Sequence, residues 1–113
     1  MSELQLADEQ MIESALIGDR GPSQERIAKM GLEWIALLLK KNQDYGDSVF
    51  QPPVLKPTLD PADAILTRAS DKITRIAHLN SSDQPALIAE SLEDSMRDLG
   101  AYCLLYLCRD KTK

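Results

Sequence analysis

The chain has 113 residues, 43% of them hydrophobic and 27% charged, with a formal net charge of -5. That length holds one domain with a single core, and the balance of apolar and charged residues excludes a disordered chain. The negative charge repels phosphate backbones and anionic membranes, which argues against a general nucleic-acid binder or a membrane-surface protein.

In chain order, Asp8 to Ile17 carries Met11, Ile12, Ala15 and Leu16 at helical spacing, with Gly18 as a stop and Asp19-Arg20-Gly21-Pro22 as a turn. A second helix is expected from Pro22, which suits a first helical position, to about Lys41. Its stripe is Ile27, Met30, Trp34, Leu37 and Leu38, widened by Leu32, Ile35 and Leu39. A helix apolar over so much of its girth is expected to be buried on more than one side, which in a short chain suggests an oligomer. A proline-punctuated loop through Pro52, Pro53 and Pro57 follows. At roughly 17 residues it has the length of loops that are functional or mobile.

The third helix has a strong start: Asp60 as N-cap, Pro61 at the first position and Asp63 two residues on. Its expected core face is Ile65, Leu66, Ala69, Ile73, Ile76 and Ala77. After Asn80-Ser81-Ser82-Asp83, a last helix is expected from about Pro85 to Cys108, with Ile88, Leu92, Leu99, Cys103 and Tyr106 inward. Cys103 and Cys108 lie about 140° apart on the helical wheel, too far to bridge, and read as buried apolar residues of a reducing compartment. The longest apolar run, Trp34 to Leu39, is too short to span a bilayer, and no secretory leader precedes it, so a cytoplasmic location is expected. No alternating strand pattern occurs. Four helices in an all-α domain is the expectation.

Arg68, Asp71, Lys72 and Arg75 share one face of the third helix, and Glu90, Asp94, Arg97 and Asp98 share one of the last. Facing one another, two such helices present carboxylates edged by cations. Carboxylates suit Mg²⁺ or Mn²⁺, and the cations suit phosphate oxygens. The same spacing also suits a solvated surface laced with ion pairs. Glu33 sits amid the apolar second helix, either on its wet edge or as another ligand. His78, the only histidine, fits a helix-end or packing role. It excludes a histidine-rich metal phosphohydrolase, and no serine–histidine triad or phosphate-cradling glycine loop is present. Lys41 to Ser48 has two readings. One is a helix-ending turn with Gly46 at positive φ; the other is a nucleotide contact in which Lys41 and Asn42 meet phosphate or sugar and Tyr45 stacks on a base. Trp34 reads as core.

Three stretches in order, Lys41-Asn42-Gln43-Asp44-Tyr45-Gly46-Asp47-Ser48, Arg68-Ala69-Ser70-Asp71-Lys72-Ile73-Thr74-Arg75, and Glu90 through Tyr102, resemble the phage nucleotide-modification-associated domain. That is a branch of the MazG-like all-α nucleoside triphosphate pyrophosphohydrolases, and the likeness spans roughly residues 24 to 108. It implies a four-helix, oligomeric MazG-like bundle. Residues 1–21 form an N-terminal helix and turn, 22–108 the catalytic core and 109–113 a tail. It implies Mg²⁺ or Mn²⁺ as cofactor and hydrolysis of a (deoxy)nucleoside triphosphate to the monophosphate and pyrophosphate. A homodimer or homotetramer in the cytoplasm of a host cell is also implied, with no nucleic-acid or membrane partner. The MazZ-like members of that branch suggest dGTP or GTP.

Carried onto this chain, the resemblance makes Asp71, Glu90 and Asp94 the catalytic metal ligands, with Asp98 and Glu33 behind them. Lys41, Asn42, Asp44, Tyr45, Arg68, Lys72 and Arg75 become the substrate contacts. The family pattern is Glu-x-x-Glu on one helix and Glu-x-x-Asp on the next. Here the third helix offers one carboxylate, Asp71, with Arg68 three before it, and Glu90 and Asp94 are four apart. The competing expectations are a non-catalytic helical interaction module and a nucleotide-binding regulator without turnover.

Overall fold

This computed structural model describes the backbone of residues 3–18, 20–81 and 85–111, and within them the side chains of residues 9–15, 17–18, 20–81 and 91–111. Among the described residues the protein is all-helical: α1 (Glu3–Ile17), α2 (Pro22–Asp44), a short 3-10 turn (Ser48–Phe50), α3 (Pro61–Asn80) and α4 (Pro85–Leu107). The chain divides into two compact units, Met1–Leu37 and Leu38–Lys113, with the boundary inside α2. Among the described residues, no helix is long and apolar enough to cross a membrane.

In the first unit, α1 begins at Glu3 rather than at Asp8 and stops where Gly18 predicts. The Gly18 N–H donates to the Ser14 carbonyl at 2.9 Å, and a Cβ on Gly18 would come within 2.8 Å of that oxygen. Arg20 ties the end of α1 to the start of α2: Nη1 donates to the Ala15 carbonyl at 3.0 Å and Nε to Glu25 Oε1 at 2.8 Å. The Gln24 side chain accepts from the Gly21 N–H at 2.9 Å, which is half of a capping box around Pro22.

The expected burial of α2 on several sides does not occur within one chain. No α2 residue is buried, and Ile27, Met30, Leu32, Ile35, Leu37 and Leu39 are exposed. Only a narrow row is half-covered: Ala28, Gly31, Trp34, Leu38 and Asn42. Trp34 is thus partly covered rather than core. Met11, Ile12 and Ile17 of α1 are likewise exposed. An apolar arc wider than the surface available to cover it stays wet whatever its periodicity.

The second unit holds the core. α3 starts at the expected residue: Asp60 Oδ1 accepts from the Ala62 N–H at 3.2 Å, and Pro61 occupies the first turn. It ends where the Ser81 hydroxyl donates to the His78 carbonyl at 2.9 Å, so His78 serves the helix end through its backbone while its side chain is exposed. The short connection from Asn80 to Pro85 makes α3 and α4, which pack together, an antiparallel hairpin. The 3-10 turn also lies against α3. Among the described residues, the buried ones are Ala64 and Ile65 on α3 and Ser95 and Leu105 on α4.

This core corrects several expectations. Ile65 is buried as expected and Ala69 and Ile76 are half-buried, but Leu66 and Ile73 are 47% and 56% exposed, and Ala77 is exposed too. The covered line is Ala64, Ile65, Arg68, Ala69, Lys72, Ile76 and Leu79, rotated toward the polar edge of the expected face. On α4, Leu92, Leu99 and Tyr106 are half-buried, and the small Ser95 and Leu105 occupy the tightest places. Cys103 and Cys108 are both exposed free thiols. Cys103 shares a face with exposed Met96 and Leu107, turned from α3. The buried positions, Ala64 and Ile65 on α3 and Ser95 and Leu105 on α4, thus include two small side chains and do not follow the broadest apolar arc. Ile88 and Leu16 lie outside the described side chains.

Candidate functional site

Among the described residues, an ion pair crosses the seam between α3 and α4: Lys72 Nζ lies 3.1 Å from Asp98 Oδ2, with the side chains 29% and 42% exposed. Lys72 reaches it because it sits one turn after Arg68 on the covered line of α3. The four α3 residues expected to act together are divided by that packing. Arg68 and Lys72 are half-buried along the seam, whereas Asp71 and Arg75 stand exposed at its edge.

On α4, Asp94 lies one turn before Asp98 on the same face and is 67% exposed. Its Oδ1 accepts from Arg97 Nη1 at 3.3 Å, and Arg97 Nη2 lies 3.8 Å from Glu93 Oε2. Glu93 is the acidic residue that inspection of the sequence passed over, although its i,i+4 spacing from Arg97 marks it. The side chain of Glu90 lies outside the described residues. Glu33 is exposed in the first unit. Among the described residues, no three histidine, cysteine, aspartate or glutamate side chains are gathered to hold a metal ion. Asp94 and Asp98 lie a turn apart on α4, and Asp71 stands exposed on α3.

Lys41 to Ser48 forms the turn that Gly46 signals. Gly46 and Asp47 have φ of 62° and 66°, the left-handed region that terminates a helix. Asp47 tolerates it because its carboxylate accepts from Asn42 Nδ2 at 3.0 Å, closing the turn from the side, while its own N–H donates to the Asn42 carbonyl at 3.2 Å. Asp44 is paired with Lys40 at 3.6 Å. Asn42 and Asp44 thus serve the local structure, which leaves exposed Lys41 and Tyr45, the latter 69% exposed, presented to solvent.

Fold and site together define an all-α protein whose second unit is a helical hairpin with a charged seam. No protein-family model matches the chain, and neither curated proteins nor solved structures give a match to it.

Proposed function

We propose that the protein is a divalent-metal-dependent hydrolase of a (deoxy)nucleoside triphosphate, with dGTP or GTP the first candidates, releasing the monophosphate and pyrophosphate. The observation that carries this reading is the Lys72–Asp98 pair, which sets the basic line of α3 beside the acidic line of α4. The ordered succession of the three motifs supports it independently. Asp94 and Asp98 of α4 and Asp71 of α3 would hold the cation, with Glu90 as a further ligand. When bound, the cation supplies Lewis acidity and offsets triphosphate charge. Arg68, Lys72 and Arg75 bind and orient phosphate oxygens, arginine by its planar fork and lysine as a point charge. Tyr45 and Lys41, presented outward by the turn, take the base and the sugar or phosphate. Positioning and charge compensation provide most of the rate.

We place this activity in a homo-oligomer, dimer or tetramer, in the cytoplasm. The number of exposed aliphatic residues on α2 supports self-association, because apolar surface left in water gains by being covered.

The test is incubation with Mn²⁺ or Mg²⁺ and a panel of nucleoside triphosphates, with products resolved by chromatography. Monophosphate plus pyrophosphate is expected, and Asp94→Asn is expected to lower turnover by a factor on the order of a hundred with helical content unchanged. Diphosphate plus orthophosphate would move the cut to another bond. No product from any nucleotide, with no thermal stabilisation by metal or nucleotide, would favour an interaction module. Stabilisation without product would favour a regulator. The module reading has one observation of its own, the hydrogen-bonded turn at Pro53–Lys56 that holds Val54 and Leu55 92% and 91% exposed.

A further inference from the structure

Covering a charge is costly unless a partner answers it. Among the described residues, the half-buried charged side chains Arg20, Lys72, Arg97, Asp98 and Arg109 all have one. Arg20 meets Glu25, Lys72 meets Asp98, Arg97 meets Asp94, and Arg109 meets the Tyr106 carbonyl and ring. Arg68, half-buried on the covered line of α3, has no partner among the described residues. Its guanidinium is not sealed off, because no side-chain nitrogen buried from water lacks a partner among those residues. With the stem covered and the head in contact with solvent, part of the side-chain entropy that binding costs is already lost. Arg75 follows two turns later on the same face, exposed and likewise without a partner among the described residues. Seven residues of helical rise set the two positions about 10 Å apart along α3. Between them, Lys72 is already engaged by Asp98.

We propose that Arg68 and Arg75 form a docking line for a polyphosphate chain that binds without a metal ion, Arg68 as the fixed contact and Arg75 as the reaching one. The inference deepens the hydrolase reading, on which it rests for the identity of the anion. It adds an order of events, with the phosphates settling on α3 before any divalent cation arrives. Two separated guanidinium forks suit an extended anion with oxygens on successive phosphorus atoms, whereas a single orthophosphate engages one fork in full. The site therefore reads the length of the phosphate chain rather than the base. Asp71 stands exposed three residues after Arg68 and four before Arg75, with an ion pair to neither among the described residues. In the metal-free protein its charge opposes the incoming anion at that edge.

Titration calorimetry of the full chain in EDTA, with inorganic tripolyphosphate and orthophosphate as probes, reads this step without turnover. Tripolyphosphate is expected to bind about tenfold tighter than orthophosphate, the scale of a second charge-assisted contact, and more weakly as salt is added. Arg68→Gln should weaken tripolyphosphate about tenfold, and Arg68→Lys, which keeps the charge and loses the fork, should fall between. Arg75→Gln should weaken it about threefold, the scale of an exposed charge contact. Asp71→Asn should tighten it by about the same factor, a sign that damage to α3 does not produce. Arg26→Gln makes the same charge change on α2, where Arg26 donates to Ser23 at 3.1 Å, and should leave binding unchanged. Circular dichroism checks that each variant keeps its helical content. The docking line is overturned if the wild type binds no tripolyphosphate in EDTA, or if orthophosphate binds as tightly. It is equally overturned if Arg26→Gln weakens binding as much as Arg68→Gln. In each of these cases the hydrolase reading stands, because the product assay decides it. Metal-free binding as expected, with no product from any nucleotide, would remove hydrolysis and keep the docking line.

Discussion

Gly46 and Asp47 show how single residues end α2 and present the motif beyond it. Both occupy the left-handed region, at φ 62° and 66°, and only Gly46 does so without a side chain to strain. Gly46→Ala is therefore expected to destabilise the protein by about 1 kcal/mol even though the position has open space around it, readable as a lowered urea midpoint with unchanged slope. The turn was legible because glycine after a helical run states its own reason. The Asn42–Asp47 hydrogen bond was not, since a side-chain contact five residues apart leaves no periodic trace. Lys72 is a second case. Spacing placed it on a polar face with Asp71 and Arg75, and only packing moved it to the seam. Because the pair with Asp98 is partly exposed, a double-mutant cycle of Lys72→Met and Asp98→Asn should give a coupling below about 1 kcal/mol that shrinks as salt is added. A salt-independent coupling several times larger would contradict this placement.

At the level of elements, the start signals Pro22 and Asp60-Pro61 and the stop at Gly18 were readable because they act on the backbone locally, through a fixed φ, a missing N–H or a cap. Which face of each helix would be inside was less readable. On α3, apolar residues run from Ile65 round to Ala77, and any line within that arc satisfies a helical period. The hairpin uses the edge of it, where Ala64 and Ile65 are buried on α3, with Ser95 and Leu105 buried on α4. Few positions then carry most of the packing, and among the described residues Ile65, 1% exposed, is the largest side chain fully enclosed. Ile65→Ala is expected to cost about 2–4 kcal/mol by thermal or urea unfolding, whereas Ile73→Ala, on the wet side of the same helix, should cost about 0.5 kcal/mol or less. Equal effects at the two positions would mean that the face of α3 turned to α4 is not this one.

For the whole molecule, the exposed aliphatic residues of α2 bear on its stability. Full burial of such a side chain stabilises by about 1.5–3 kcal/mol, and each one left partly in water forgoes a share of that. A second copy covering Ile27 and Leu39, 72% and 66% exposed, would recover part of it. Sedimentation analysis is accordingly expected to show a dimer or tetramer whose melting temperature rises with protein concentration. Ile27→Glu with Leu39→Glu should shift the species toward monomer and remove that dependence. A monomer at every concentration would set the oligomer aside and turn attention to a different partner for α2.

The sequence alone determined that the chain is helical, where α1 ends and where α2 and α3 begin, and that a glycine turn separates α2 from the segment leading to α3. These are decided by short-range physics: backbone angles, caps and periodicity within a few residues. Only the tertiary structure decided that the interior is the narrow α3–α4 line around Ala64, Ile65, Ser95 and Leu105, that both cysteines and most of α2 lie outside it, and that Lys72 meets Asp98 while Asp71 and Arg75 stay exposed. Such choices depend on how closely two particular surfaces can approach. Periodicity narrows them to an arc and cannot select the line within it.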